Sequence, residues 1–108
     1  MLKISIILPL YHQSKQVEKL REIYSLIREE HNFIHEVIFV VNNGDEKTYQ
    51  AFKKIEDNYF KVMFVSHGGW GKGLKEGIAH ANGNWVVYTN SARTHFDEFN
   101  QFISEADF

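Results

Sequence analysis

The glycine-rich stretch from Gly68 to Gly77 has residue types that could bind a phosphate group. It reads GGWGKGLKEG. Backbone N–H groups at the start of a helix attract phosphate, and glycine lets a ligand come close to the backbone. In this interpretation Lys72 contacts a diphosphate; in the alternative, Lys72 is solvated while Gly73 and Gly77 let a helix pack closely against a sheet. The stretch lacks the G-x-G-x-x-G spacing, and no Ser or Thr follows its Gly-Lys pair, so neither common nucleotide fingerprint is present.

Metal-bound and nucleophilic chemistry find less support. His31 and His35 stand four residues apart, a spacing that puts two metal ligands on one face of a helix. The helix in this region is predicted to end near Asn32, so the two histidines are interpreted as exposed surface residues that do not bind a metal. The chain has no Cys and no G-x-S-x-G motif, which excludes Cys-based zinc sites and disfavours a nucleophilic triad.

Periodic apolar residues predict four strands and four helices that alternate along the chain. The near-continuous apolar runs of residues 4–10 and 36–41 indicate strands buried on both faces, which is typical of a parallel sheet. Pro9 is expected to end the hydrogen bonding of the first strand. Ser14 and Asp45 are expected to cap the first and second helices. The predicted strands span residues 4–10, 36–41, 61–66 and 84–89.

The alternation of strands and helices with short connections predicts an α/β fold, with a four-stranded, mainly parallel sheet and helices on both faces. The second helix is predicted from apolar residues that recur every three or four positions up to Tyr59. In such sheets, ligands bind where loops leave the carboxyl ends of the strands. Functional residues are therefore expected in four loops, at residues 10–14, 42–45, 66–73 and 89–95.

Length and charge limit the classes of function. The chain has 108 residues, which suits a single domain spanning residues 1–108. Its 12 basic and 14 acidic side chains give a net charge of -2 with both signs mixed, which disfavours a nucleic-acid partner. The longest apolar run, residues 4–10, is too short to span a membrane and has no features of a signal peptide. We therefore expect a cytoplasmic protein without a membrane span.

The four loops and the strands before them resemble the nucleotide-sugar-binding half of the family 2 glycosyltransferases. Residues 5–11 are similar to the family's strand that ends in Pro-x-Tyr, although His12-Gln13 follows where the family usually has Asn-Glu. Residues 36–44 are similar to its strand that ends in Asp-Asp-Gly-Ser. A glycine and alanine helix of the dolichyl-phosphate-sugar-synthase type is matched by Gly71-Lys72-Gly73, Gly77, Ala79, Ala81 and Gly83, with residues 84–88 as the next strand.

This resemblance implies a three-layer, Rossmann-like GT-A half domain that takes a nucleoside diphosphate sugar. In the family the base rests near the ends of the first two strands, and an Asp-x-Asp motif after the fourth strand holds a divalent cation. A chain of 108 residues is short for the family, so we expect the acceptor half and its catalytic base to be absent. The nucleotide-binding residues that the resemblance implies are Pro9, Tyr11, His12, Asn42, Asn43, Gly44, Gly71, Lys72, Asn90, Ala92 and Arg93.

The departures from the family pattern bear on catalysis. Asn90 and Ala92 stand where the two metal-side aspartates are expected. Asn offers one neutral carbonyl and Ala offers nothing, so we expect no divalent metal at this position. The acidic pair after the second strand is replaced by Asn42 and Asn43, which can hydrogen-bond a base edge without charge. Two carboxylates lie a few residues farther along, but they suit the first turn of the last helix better than a metal: Asp97 and Glu98.

Three hypotheses stay open, and only the second names candidates for a catalytic base. The first is a nucleotide-binding domain with incomplete catalytic machinery. The second is an active, metal-independent transferase in which Arg93, Lys72 and Lys75 neutralise the diphosphate and His12 or His95 acts as base. The third is a protein-interaction module, with homo-oligomerisation as one form of it. Its partner surface would include Trp70, Phe99, Phe102 and Phe108, although a core or helix-anchoring role suits the Phe residues better.

Overall fold

Four parallel strands carry the loops in which functional residues are expected. The computed structural model of the protein describes residues 1–89 and 96–106. A single turn of 3-10 helix at Ser14–Gln16 precedes the first α-helix. The strands are β1 (Ile4–Leu10), β2 (Ile34–Val41), β3 (Phe60–Phe64) and β4 (Trp85–Tyr88). The helices are α1 (Val17–Glu30), α2 (Glu46–Lys53), α3 (Gly69–His80) and α4 (Phe96–Glu105).

The sheet has the strand order β3-β2-β1-β4, and every pair of neighbouring strands is parallel. Every residue of the central strand β1 is buried, because helices cover both faces of the sheet. On one face α1, α2 and α4 contribute Leu20, Phe52 and Ile103 to the larger core cluster. On the other face α3 packs over β1 and β2. The three-layer α/β fold with helices on both faces is therefore confirmed.

Two glycines let α3 lie close to the sheet. A Cβ atom on Gly73 would lie 2.1 Å from Asn42 Oδ1, and a Cβ atom on Gly77 would lie 2.9 Å from Ile7 Cγ2. Real Cβ atoms do not come this close to other atoms, so neither position has room for a side chain. The close-packing interpretation of these two glycines is confirmed.

A buried carboxylate joins the strands at the amino end of the sheet. Glu36 is 0% exposed, and its oxygens accept hydrogen bonds from Ser5 Oγ at 2.5 Å and from Lys61 Nζ at 2.6 Å. The backbone N–H of Asn82, just before β4, donates a third bond at 2.6 Å. Burial raises the pKa of Glu36, but these hydrogen bonds outweigh burial and hold the pKa below its ordinary value. One ionised side chain thus links β1, β2, β3 and the connection into β4.

Besides shifts of one or two residues at the ends of β2, β3 and β4, three details differ from the predictions. The predicted cap Ser14 is wrong, because residues 14–16 already form the 3-10 turn and the cap position of α1 is Gln16, which makes no side-chain cap bond. Helix α2 ends at Lys53, well before Tyr59, which reaches the core from the turn before β3. Pro9 does not end the pairing of β1 with β2, because Leu10 still pairs with Val41.

None of the helices in the described ranges, residues 1–89 and 96–106, is both long and apolar enough to cross a membrane.

Candidate functional site

Left-handed backbone is concentrated in the loops that follow β1, β2 and β3. A non-glycine residue in this conformation costs about 1–3 kcal/mol and persists only when its surroundings hold it. Two such residues occur in the described part of the chain, one after β1 and one after β2. Such strain often marks a ligand site, so it directs attention to this edge of the sheet. The described residues with positive φ are His12 (55°), Asn43 (55°), Gly44 (67°), Gly68 (99°) and Gly69 (65°).

The loop after β1 presents an aromatic ring to solvent. Tyr11 is 48% exposed, and its ring lies 3.9 Å from the ring of His12, centroid to centroid. The Tyr11 N–H donates to Gln13 Oε1 at 3.1 Å, which closes the loop on itself. Pro9, also expected in the site, is buried within β1 below this loop. The predicted residues Tyr11 and His12 are therefore accessible, whereas Pro9 belongs to the sheet.

Side chains at the start of α2 hold the loop after β1 from outside. The Asp45 carboxylate accepts hydrogen bonds from the His12 N–H at 2.6 Å and from Thr48 Oγ1 at 2.6 Å. It also caps α2 by accepting the Thr48 N–H at 3.3 Å, so the predicted cap is confirmed. Thr48 Oγ1 in turn accepts the Gln13 N–H at 3.0 Å. The two loops are thus joined by hydrogen bonds between residues more than 30 positions apart.

The charge of Asp45 is fixed by the same contacts. Burial raises the pKa of Asp45, but the hydrogen bonds from Thr48 and the His12 N–H outweigh burial and hold the pKa below its ordinary value. Asp45 is therefore ionised at neutral pH. With three hydrogen bonds already accepted, its oxygens have little capacity left for a ligand or a metal ion.

The two asparagines after β2 face different surroundings. Asn42 is 3% exposed, donates from Nδ2 to the Val40 carbonyl at 3.3 Å, and directs Oδ1 at Gly73 on α3. This oxygen accepts no hydrogen bond from the described part of the chain. Asn43 is exposed, with its Oδ1 3.9 Å from where a Cβ atom on Gly69 would lie. Asn43 therefore stands at the open edge beside the start of α3, and Asn42 lies beneath that helix.

Gly44 joins the loop after β2 to the loop after β3. Its N–H donates to the Val65 carbonyl at 2.9 Å, and a Cβ atom on it would lie 3.0 Å from the carbonyl oxygen of Ser66. Ser66 Oγ lies 2.9 Å from His67 Nδ1, and both residues are exposed. These contacts bring another hydroxyl and another imidazole to the same edge of the sheet.

The start of α3 carries the predicted phosphate-binding residues. Gly68 occupies the cap position of α3, and the methylene stem of Lys72 lies over it. Gly71 is exposed, and a Cβ atom there would meet nothing within 4 Å. Lys72 and Lys75 are exposed as well. Gly71 thus leaves open space on the helix surface, and the packing of the protein does not require a glycine there.

Of the fourth predicted loop, residues 89–95, the structure describes only Thr89. The Thr89 N–H donates to the Ile7 carbonyl at 3.1 Å, so the chain leaves β4 beside β1 at the same edge of the sheet. Asp97 is exposed in the first turn of α4, as expected, whereas the side chains of Glu98 and Phe99 are not described. The predicted residues that lie outside the described ranges are Asn90, Ala92, Arg93, His95 and Phe108.

Potential metal ligands do not cluster in the described ranges. Residues 1–89 and 96–106 contain no group of three or more His, Cys, Asp or Glu side chains that could hold an ion. His31 follows the end of α1, and its Nε2 lies 2.7 Å from Asn100 Oδ1, whereas His35 is exposed on β2. The two histidines therefore do not share a helix face.

Sequence reasoning missed the contacts that organise this edge. Asp45 was identified as a helix cap, but its reach to the His12 N–H joins residues 33 positions apart, and no local pattern signals that. The burial of Asn42 was missed for a similar reason, because it depends on how closely α3 approaches. An Asp followed three residues later by Thr is the one local signal that could have directed attention to this corner.

The described edge offers an exposed aromatic ring, an exposed amide, backbone N–H groups at the start of α3, and lysines beside them. Such groups can stack on a ring, hydrogen-bond its edge and receive negative charge. A comparison with known protein families matches residues 5–99 to the family described as Glycosyl transferase family 2. The matched span includes all four loops.

Proposed function

Because the chain belongs to glycosyl transferase family 2, we propose that the carboxyl edge of its sheet binds a nucleoside diphosphate or a nucleotide sugar. The observation that carries this proposal is the convergence of the loops after β1, β2 and β3. They are joined by the hydrogen bond that Asp45 accepts from His12 and by the one that Gly44 donates to Val65. The likeness of residues 71–83 to the dolichyl-phosphate-sugar synthases and the cytoplasmic location are part of the same proposal.

We infer an orientation for the ligand from the groups along this edge. The exposed ring of Tyr11 stacks on the base, and the amide of Asn43 hydrogen-bonds the edge of that base. The diphosphate then extends toward the start of α3, where backbone N–H groups and Lys72 favour negative charge. Asn42 supports this arrangement from beneath α3.

The donor atoms near the fourth strand do not fit the divalent cation that the family pattern implies. The side chains of Asn90 and Ala92 supply one neutral carbonyl between them, whereas a hard cation is usually held by at least one carboxylate. Asp45 also lies at the described edge, but its oxygens already accept three hydrogen bonds. We therefore propose that nucleotide binding does not depend on a metal and that the catalytic machinery is incomplete.

Isothermal titration with uridine diphosphate and guanosine diphosphate tests the proposal. We expect one of them to bind with the same affinity with and without manganese. Binding that requires manganese would contradict the metal-independent site, and failure of both nucleotides to bind would contradict the function.

The role of Tyr11 is tested by replacing its ring. Tyr11→Leu should lower the affinity for the nucleotide about tenfold, because stacking on an aromatic side chain contributes about 1–3 kcal/mol per base. Trp85→Leu is a matched control, since Trp85 is 50% exposed against 48% for Tyr11 but lies at the amino end of β4. Equal affinities for the two variants would show that Tyr11 does not contact the base.

An active, metal-independent transferase is the second candidate, favoured by the position of Lys72 over the glycine turn. In that case Lys72 and Arg93 would stabilise the leaving diphosphate. Sugar release from a panel of nucleotide sugars, retained in chelator and lost in Arg93→Ala, would support it. No release from any donor would end it.

An interaction module is the third candidate, favoured by exposed apolar side chains on α3. Trp70 is 55% exposed and Ile78 is 49% exposed. A nucleotide titration without binding, together with a dimer in analytical ultracentrifugation that Trp70→Ser dissociates, would favour this candidate. A monomer at all concentrations would count against self-association.

A further inference from the structure

We propose that Asp45 is a positioning residue for the nucleotide: its carboxylate holds the loop after β1 in the shape that presents Tyr11 and His12 to the ligand. This inference rests on the proposed function. The direct observation is the hydrogen bond at 2.6 Å from the His12 N–H to Asp45 Oδ2, which joins two loops on adjacent strands.

Three consecutive backbone N–H groups of this loop are bound by side chains. The Tyr11 N–H donates to Gln13 Oε1, the His12 N–H to Asp45, and the Gln13 N–H to Thr48 Oγ1. Two of these three acceptors, Asp45 and Thr48, therefore lie at the start of α2. Thr48 Oγ1 itself donates to Asp45 at 2.6 Å, so the bonds that the loop donates to Asp45 and to Thr48 both depend on the Asp45 carboxylate.

The left-handed backbone of His12 needs this support. Its φ of 55° is unfavourable for a residue with a side chain, and it persists only where neighbouring contacts hold it. Asp45 accepts a hydrogen bond from the N–H of His12 itself, and this bond is charge-assisted because the acceptor is an ionised carboxylate. Without that bond the residue is free to relax to negative φ, which would turn the Tyr11 ring and the His12 side chain away from their present directions.

Capping α2 does not by itself require an aspartate. Ser at the cap position accepts an N–H of the first turn about as well as Asp. Its side chain is shorter, so it would cap the helix but would not extend to the His12 N–H. The carboxylate reaches both α2 and the loop after β1, and that second contact is the one we assign to ligand binding.

Asp45→Ser tests the assignment because it keeps a good cap and removes the bond to His12. The matched control is Asp57→Ser. Asp57 also accepts two backbone N–H groups, from Tyr59 at 2.8 Å and Phe60 at 2.7 Å, but in the turn before β3 at the opposite end of the sheet. The probes are uridine diphosphate and guanosine diphosphate, titrated into each full-length variant well below its melting temperature.

We expect Asp45→Ser to lower the affinity for the nucleotide about tenfold relative to the wild type. This is the scale of one lost hydrogen bond to a charged group. Asp57→Ser should bind like the wild type. Hydrogen exchange followed by NMR gives a second readout. The exchange rate of the His12 amide should rise in Asp45→Ser and stay at the wild-type value in Asp57→Ser. A purely structural role would not produce this pairing of a local amide change with lost affinity.

The outcomes separate this inference from the proposed function. If the wild type binds neither nucleotide, the proposed function fails, and the positioning role fails with it. If the wild type binds and Asp45→Ser binds equally well, only the positioning role is overturned. If Asp45→Ser does not fold, Asp45→Asn replaces it, because Asn caps well and has one acceptor oxygen where the carboxylate has two. Unchanged affinity in Asp45→Asn would likewise overturn the role.

Discussion

Asn42 and Asn43 are adjacent and chemically identical, but the fold places their side chains in different environments. Asn42 is enclosed between the sheet and α3, whereas Asn43 stands in left-handed backbone at the open edge. The sequence predicted a pair of polar residues after β2 and therefore the correct loop. It did not predict which side chain faces the ligand, because that depends on the approach of α3 and not on the identity of the two residues.

A charge at each of these positions should therefore have different effects on stability. Asn42→Asp should lower the free energy of unfolding at pH 7 by about 2–3 kcal/mol, because a buried carboxylate without partners is costly. Burial also raises the pKa of such a carboxyl, so the loss should shrink as the pH falls and the group becomes protonated. Urea unfolding at pH 7 and near pH 4 measures both effects.

Asn43→Asp is the control, since its side chain is exposed. It should change the free energy of unfolding by less than about 0.5 kcal/mol at either pH. Equal losses for the two variants would mean that Asn42 is not enclosed as described.

At the scale of elements, the contact between α3 and the sheet sets the depth of the site. Gly73→Ala should lower the free energy of unfolding by about 1–3 kcal/mol, because its Cβ atom would collide with Asn42 and overfill a packed contact. It should also weaken nucleotide binding if α3 shifts away from the edge. Thermal and urea unfolding, followed by the titration described above, measure the two effects.

Gly71→Ala is the matched control, because Gly71 lies two residues before Gly73 and on nearly the opposite side of α3. Its Cβ atom would meet nothing within 4 Å, and alanine favours a helix over glycine by about 1 kcal/mol. The Gly71 variant should therefore be as stable as the wild type or slightly more stable. If both substitutions lowered stability equally, the close packing at Gly73 would not be the cause.

The elements themselves could be predicted because apolar periodicity reports burial directly. β1 was predicted at its observed bounds, and the other elements were found in the correct order. The end of α2 was missed because Tyr59 continues the helical spacing, although it packs from the turn that Asp57 stabilises. Ser14 is a suitable cap by type, but the 3-10 turn moves the start of α1 to Val17. Local patterns thus predict which segments are buried better than where each helix ends.

At the scale of the whole molecule, the two ends of the sheet have different roles. The carboxyl end gathers the left-handed residues and exposed polar groups. The amino end holds the Glu36 hydrogen bonds, which join three strands and the connection into β4. Because this network is buried and fully bonded, it stabilises the sheet without contacting the candidate site. The strands that carry the ligand loops are therefore fixed at the end opposite the ligand.

Glu36→Gln should test how much this network contributes to the stability of the whole fold. An amide cannot accept hydrogen bonds from Ser5, Lys61 and Asn82 as the carboxylate does, so the free energy of unfolding at pH 7 should fall by about 1.5–3 kcal/mol. The folded-state pKa of Glu36 lies below its unfolded value. Its contribution is therefore fully present above the unfolded pKa and is lost as the pH falls through the folded pKa.

The stability difference between wild type and Glu36→Gln should accordingly be constant near neutral pH and shrink below the ordinary pKa range of a glutamate. Glu18→Gln is the matched control, because Glu18 pairs with Arg21 at 3.8 Å on the exposed face of α1. Exposed pairs contribute at most about 1 kcal/mol, so this variant should unfold nearly like the wild type. Since Glu36 lies at the far end of the sheet, nucleotide affinity should stay unchanged wherever the Glu36 variant is folded. An affinity loss in fully folded Glu36→Gln would show that the two ends of the sheet are coupled.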